Sequence, residues 1–292
     1  MPELAEVEIS RLKLLPAVQN RRILDFWTDW PRGFKSPLPV AKARRDIRGR
    51  KILGLSRRGK VLFFELAGKP ARKIALHFRM SGRLLASSSK SKIASDKWTH
   101  FRWRLTGGRE IRFIDPRKFG VVWYGSENDL KRDKYLANLG RDALRIPKKV
   151  FTAALRKKTG MVKAVLLHQD VIAGVGNIMA DETLWRAKIH PKTKIADLSA
   201  SALNNLHSAL TTTVNAMLAA GGTSLRDWGH PDGKLGGYQE KRKIYGKAGE
   251  PCPRCKTKLA RLIAGGRGTT VCPKCQRFFR IQNFRLRRNF GE

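Results

Sequence analysis

Four cysteines constrain this chain more than any other feature. They fall as Cys252-Pro-Arg-Cys255 and Cys272-Pro-Lys-Cys275, a C-x2-C pair repeated after 16 intervening residues. Each C-x2-C turns the backbone so that two sulfurs face one point, and two such turns complete a tetrahedron. The pattern is that of one structural Zn2+, held by four thiolates with no open position for water. Two disulfides would suit a secreted chain, but the opening MPELAEVEIS has neither the basic start nor the apolar run of a signal peptide. Zinc is therefore the expectation. Between the pairs, Leu259–Val271 carries Gly265, Gly266 and Gly268 around Arg267. That spacing predicts a β-hairpin, a zinc ribbon presenting an arginine at its tip.

A ribbon of this size leaves most of the 292 residues to other modules. Their charge narrows the partner. Lys and Arg number 61 against 23 Asp and Glu, a formal net charge of +38. Such a chain needs a polyanion, and nucleic acid is the first candidate, ahead of an anionic membrane surface. The basic residues are interleaved with apolar and aromatic ones throughout, so folded modules sharing a positive face are expected rather than one basic tail. With 41% hydrophobic residues, wholesale disorder is excluded. No stretch approaches the ~18 uninterrupted apolar residues of a membrane span.

Leu4, Val7, Leu12 and Leu15 recur at helical spacing behind Glu3, Glu6 and Glu8, which suit the positive end of a helix. From Arg22 to about Gly125 short strands take over. Phe101, Trp103 and Leu105 alternate with Arg102 and Arg104; Gly107-Gly108 turns the chain, and Ile111 and Phe113 flank Arg112. A second pair, Ile52–Ser56 and Val61–Leu66, flanks Arg57-Arg58-Gly59-Lys60. Several strands in one hundred residues predict a β-sandwich or barrel. Residues 128–149 read as a charged linker with a short helix. Helical spacing then returns, most clearly in Leu203, Leu206, Leu210, Val214 and Met217, until Gly221-Gly222 breaks it. Trp228–Gly237 is a Gly-rich loop before the ribbon.

Two local features suggest chemistry. Removal of Met1 would expose the secondary amine of Pro2; an α-amine has a pKa of about 7.7–8.0, so on the order of a tenth is a neutral nucleophile at pH 7. Glu3 and Glu6 lie within one turn of it and can move protons. Gly174-Val175-Gly176-Asn177 precedes a helical run, and a glycine turn opening a helix offers free N–H groups to a phosphate.

In combination, these motifs resemble the formamidopyrimidine-DNA glycosylase family, from Pro2 to about Gln276. The residues that carry the likeness are Pro2-Glu3-Leu4-Ala5-Glu6-Val7-Glu8, Arg58-Gly59-Lys60, His77-Phe78-Arg79-Met80-Ser81-Gly82 and Asp115-Pro116-Arg117-Lys118-Phe119-Gly120. Gly174-Val175-Gly176-Asn177-Ile178, Gly221-Gly222-Thr223, Asp232-Gly233-Lys234, Tyr245-Gly246, Gly249-Glu250-Pro251-Cys252 and the Arg267–Cys275 hairpin follow in the family's order. The resemblance implies a multi-domain α+β fold: an N-terminal β-sandwich with a leading helix, a helix–two-turn–helix domain and a C-terminal zinc-ribbon hairpin. The expected divisions are a catalytic domain over residues 1–127, a linker over 128–150, the helical domain with a lesion loop over 151–240, the zinc finger over 241–277 and a basic tail over 278–292.

The same resemblance implies the chemistry. Pro2 would attack C1′ of a damaged nucleotide, Glu3 would act as acid/base, and Lys60 would serve catalysis and bind phosphate. His77, Asn177 and Arg267 would grip phosphates, while Met80, Arg117 and Phe119 would fill the gap left by an extruded base. Without the family order, Met80 and Phe119 would be read as sandwich core, although Phe119 follows two basic residues on an expected loop, where a wedge belongs. The expected partner is double-stranded DNA with damaged bases or abasic sites, met by a monomer in the bacterial cytoplasm, at the nucleoid, without membrane contact. Removal of oxidised purines with β,δ-elimination is the leading reading. An endonuclease VIII-like preference for oxidised pyrimidines is the runner-up, disfavoured by Leu4 and the Met80, Arg117, Phe119 set; a non-catalytic zinc-ribbon binder has no use for an N-terminal amine. Ala5 stands where the family carries proline, Met179 where tyrosine is common, His168 where an acid is common, and Arg79 replaces a small residue. The last three are expected near the lesion pocket or cleft.

Overall fold

Helix α1 (Leu4–Val18) opens the structure, a computed structural model that describes residues 2–88, 97–225 and 227–278. Its buried face differs from the expected stripe. Leu12 is exposed, whereas Leu4, Val7, Leu14 and Val18 are buried together with Glu6, Glu8 and Ser10. The cause is that α1 lies between two cores: Val7, Leu14 and Val18 join one, Leu4 and Ala5 the other. A helix enclosed on several sides shows no single apolar stripe.

The first core lies between two sheets. In chain order come β1 (Ile23–Thr28), β2 (Phe34–Lys35), α2 (Val40–Ile47), β3 (Ile52–Arg58), β4 (Val61–Leu66) and β5 (Arg72–His77). Then follow β6 (Arg83–Ser88), β7 (Thr99–Leu105), β8 (Arg109–Ile114) and β9 (Val121–Gly125). One sheet has the order β1-β7-β8-β6, the other β2-β9-β5-β4-β3. Both expected hairpins form. Phe101 lies opposite Phe113 and Trp103 opposite Ile111 across β7–β8, and Arg58 lies opposite Val61 across β3–β4. Phe26, Phe64, Phe101, Trp103 and Phe113 pack ring against ring between the sheets. Large aromatic side chains of this kind dominate the energetics of a core.

Residues 128–149 are more structured than a linker. Helices α3 (Glu127–Lys131) and α4 (Lys134–Ala137) precede strand β10 (Arg141–Asp142), with Ser126 and Asp133 as N-caps. Leu130, Leu136 and Leu139 are buried with Val61, Ala75 and Trp123 on the outer face of the five-stranded sheet. The charged stretch thus covers a second sheet face. Next come α5 (Lys148–Arg156), α6 (Val162–Leu167), β11 (Ile172–Ala173), α7 (Asn177–Arg186), α8 (Ala200–Ala219) and the short α9 (Tyr238–Lys241). Helix α8 buries Leu203, Leu206, Leu210, Val214 and Met217, as the spacing requires. The ribbon is β12 (Ala260–Ala264) and β13 (Arg267–Val271), antiparallel, with Arg267 starting the second strand. Among the described residues no helix is long and apolar enough to cross a membrane. The tail beyond Phe278 lies outside the described residues.

Candidate active site

Pro2 and Glu3 are buried at the head of α1, where the two cores meet. The Glu3 amide donates to Glu6 Oε2 at 2.7 Å. Its carboxylate accepts the amides of Ile178 and Met179, at 2.9 and 3.1 Å, from the first turn of α7. A Cβ on Gly176 would overlap the Glu3 carboxyl, so glycine at this position is what admits the helix N-terminus to the head of α1. Glu6 in turn accepts the Thr223 amide at 2.7 Å. Burial, reinforced by the neighbouring Glu3, pushes the Glu6 carboxyl up to about 7.

Beside this head lies a cavity of about 320 Å³ lined by Lys60, His77, Arg79, Met80, Asn177 and Arg267, among others. Lys60 ends the β3–β4 hairpin and is buried, which lowers its ammonium pKa, with Glu3 and Glu6 opposing the shift. His77 is pushed down to about 3, chiefly by burial, so its ring is neutral. The Arg79 amide donates to His77 Nδ1 at 2.9 Å, which places the ring proton on Nε2 as a donor. Asn177 Nδ2 donates to Gly268 O at 3.1 Å and ties the start of α7 to the ribbon strand that carries Arg267. Cations and N–H donors from four segments converge here, the makings of an anion site.

A second cavity, about 410 Å³, is lined by Met80, Arg117, Ile178, Thr223, Leu225, Asp227, Trp228 and Tyr245. Met80 is 47% exposed and Phe119 50%, so neither belongs to the sandwich core. The residue before each has a left-handed backbone, Arg79 at φ +52° and Lys118 at φ +53°. Such strain, roughly 1–3 kcal/mol per residue, persists where the surroundings impose it, often at ligand clamps. Asp115 ties the two loops together. Its buried carboxylate accepts the amides of Phe119 and Gly120 at 2.8 and 2.6 Å and the hydroxyl of Ser81, joining the two loops. The Arg117 guanidinium sits 5.4 Å from the centre of the Phe119 ring, and its Nη2 lies 3.4 Å from Asp227.

Behind these cavities the four cysteine sulfurs lie within 4.8 Å of one another. Cys252 and Cys272 are buried, and the Cys275 amide donates to the Cys272 sulfur at 3.4 Å, an arrangement that suits ionised sulfurs around one metal. They are the ligand set of one structural Zn2+. The ribbon is docked by a buried network: Lys163 Nζ contacts Asp181 Oδ1 at 2.5 Å and Thr269 Oγ1 at 2.6 Å, and the Thr270 amide reaches Asp181 Oδ2 at 3.0 Å.

Three family models match in succession: the formamidopyrimidine-DNA glycosylase N-terminal domain over residues 1–122, the formamidopyrimidine-DNA glycosylase H2TH domain over 139–228, and the zinc finger found in FPG and IleRS over 249–277. The chain belongs to the formamidopyrimidine-DNA glycosylase family. Its relative in Geobacillus kaustophilus is 38% identical over 281 residues, covering 95% of this chain and all of that one. The Bacillus subtilis glycosylase is 34% identical, covering 94% and 99%. A Lactococcus lactis FPG bound to Fapy-dG-containing DNA has a TM-score of 0.85 at 30% identity, covering 95% of this chain and 100% of that one. The Thermus thermophilus MutM protein has a TM-score of 0.83 at 33% identity, covering 94% and 98%.

In this glycosylase, Lys60, His77, Met80, Asn177 and Arg267 share the smaller cavity, and Met80 and Arg117 also border the larger one. Of the three departures expected near the lesion pocket, Arg79 lines the smaller cavity, its guanidinium 5.3 Å from the Tyr135 ring. Met179 offers Glu3 its amide, but its side chain is buried in the helical core because it follows the inner face of α7. His168 ends α6 and points to solvent beside Asp170. Sequence reading assigned no role to Asp115, Asp227 or the Lys163–Asp181 pair. Asp115 alone left a local trace: an aspartate shortly before the amides it accepts, across Pro116, is a turn-forming pattern.

Proposed function

We propose that the two cavities are halves of one DNA-repair site, and that this glycosylase removes oxidised purines (8-oxoguanine and formamidopyrimidines) from duplex DNA and then cuts the abasic strand. The observation that carries the reading is the meeting of Lys60, His77, Asn177 and Arg267 in one cavity beside the buried head of α1. Solved relatives are complexes with Fapy-dG-containing, abasic-site-containing and carbocyclic 8-oxo-G-containing DNA. With Met1 removed, the Pro2 amine attacks C1′ of the extruded nucleotide, and the base departs. Glu3, oriented by two α7 amides, delivers a proton to the sugar ring oxygen and opens the ring to the iminium cation. Loss of the C2′ proton then expels the 3′ phosphate, and a second elimination expels the 5′ phosphate. Lys60, His77, Asn177 and Arg267 hold those phosphates; Met80, Arg117 and Phe119 occupy the gap in the duplex. One chain contributes every group, and we propose that it acts as a monomer in the cytoplasm, on nucleoid DNA. Borohydride should trap the protein covalently on abasic-site DNA; a retained Met1, which makes the Pro2 nitrogen an amide, should abolish trapping, and Pro2→Gly, which leaves a primary amine in its place, should diminish it. Undiminished trapping in either variant would remove Pro2 from the reaction.

A further inference from the structure

Lys60 follows a glycine that is gripped from both sides. The Gly59 amide donates to Asp142 Oδ2 at 2.7 Å, and the Gly59 carbonyl, which forms the peptide bond to Lys60, accepts from Arg57 Nη1 at 2.8 Å. Arg57 and Asp142 are themselves joined in a two-point pair, at 2.6 and 2.9 Å. The third edge of the guanidinium reaches α1: Arg57 Nε donates to Glu8 Oε2 at 2.8 Å. Asp142 is anchored as well, accepting the Leu144 amide at 3.1 Å from the end of β10. Gly59 has a φ of +59°, and a Cβ there would come within 2.8 Å of the Ala173 Cβ on β11. The turn is therefore pressed against one strand while the pair fixes its peptide planes.

The arrangement is more than a stability device. A buried ion pair repays its desolvation only with good geometry and further hydrogen bonds, and a hydrophobic pair often does as well. Here the hydrogen bonds go to the two peptides that flank Gly59, the second of which carries Lys60. The other end of the network is α1, whose head carries Pro2 and Glu3. Guanidinium is the one side chain with donors in a fixed fork able to serve Asp142, Gly59 and Glu8 together.

We infer that Arg57 and Asp142 are positioning residues for Lys60, locking the β3–β4 turn to α1 so that the ammonium stands at a set place beside Glu3. The inference rests on the reading of Lys60 as part of the catalytic site. Displacement of a catalytic group by about 1 Å can cost on the order of a hundredfold in rate.

The test is a double-mutant cycle on single-turnover base release and borohydride trapping, with saturating DNA, using Arg57→Lys, Lys60→Ala and the combination. Arg57→Lys keeps the buried charge and one contact to Asp142 but loses the fork. It should slow both reactions by on the order of tenfold to a hundredfold. In the Lys60→Ala background the same substitution should change the rate less than about twofold, because nothing is left to position. Equal losses in both backgrounds would make the pair merely structural and overturn the inference. A Lys60→Ala enzyme with wild-type rates would instead sink the reading of Lys60, and the inference with it. Asp142→Asn, which keeps the shape of the side chain, repeats the cycle should Arg57→Lys prove unfolded by circular dichroism.

Discussion

Glu3 and Glu6 stand one turn apart in the same buried space, and the cost of two adjacent carboxylates falls on Glu6, held up to about 7 by burial and by Glu3. Its ordinary value is 4.5, so between that pH and 7 the folded protein keeps a proton that the unfolded chain releases. The stability tied to that proton is complete below about 4.5 and is lost as pH rises through about 7, with a size of roughly 3 kcal/mol at most. Urea unfolding at several pH values should show this decline, and Glu6→Gln should flatten it; an unchanged pH slope in the variant would count against the buried proton. Arg117 supports a second expectation. It is exposed and tethered to Asp227 by a surface pair worth at most about 1 kcal/mol, so it is free to leave for an orphaned base. Arginine has only donors. Cytosine offers adjacent acceptors on its Watson–Crick edge, whereas adenine offers a donor that would stay unpaired, a difference of roughly 1–3 kcal/mol. Excision should therefore be faster opposite cytosine than opposite adenine, and Arg117→Ala should slow the former and flatten the ratio. Equal wild-type rates opposite both bases would exclude Arg117 as the reader.

The ribbon is the element whose loss should propagate furthest, because Arg267, the Asn177 contact at Gly268 and the Lys163–Asp181 dock all sit on β13 or meet it. Cys272→Ser should strip the zinc and take DNA affinity down with it, as metal analysis and a binding titration on the same sample would show. Wild-type affinity in the metal-free variant would separate the ribbon from the grip on DNA. This element was also the most legible, since cysteine spacing and a glycine-marked turn are local patterns. The β7–β8 hairpin and α8 were legible for the same reason: alternation in one, helical spacing of Leu203 to Met217 in the other. Other elements answer to distant partners. The buried side of α1 is set by two cores that meet only in three dimensions, so Leu12 fits the spacing yet faces out. Residues 128–149 read as a linker with a short helix because charged residues dominate them, yet three of their leucines cover a sheet face. Asp142, Asp181 and Asp227 find their basic partners across the fold, and nothing in their neighbours' identity announces the pairing.

At the scale of the whole molecule, +38 is far more charge than one active site uses, and its consequence is thermodynamic. Each phosphate neutralised by a lysine or arginine releases condensed counterions, so log K falls with log salt at about 0.9 per contact. Lys60, Arg79 and Arg267 line one cavity; if each meets a phosphate there, a slope of about −2.7 or steeper is expected. Further basic residues outside the cavities should add to it. The residues after Phe278, which lie outside the described structure, carry Arg280, Arg285, Arg287 and Arg288 among Phe279, Phe284 and Phe290. The zinc-finger match ends at residue 277, before them. Ending the chain after Phe278, whose ring packs 4.8 Å from His190, removes these arginines and leaves the described contacts in place. If the tail is an added electrostatic grip, the truncated enzyme should bind with a shallower salt slope and lower affinity. Its single-turnover excision rate on saturating DNA should stay at the full-length value, because every group placed at the reaction lies before residue 278. A slope unchanged by truncation would deny the tail any phosphate contact. A collapsed single-turnover rate would place it in the catalytic fold.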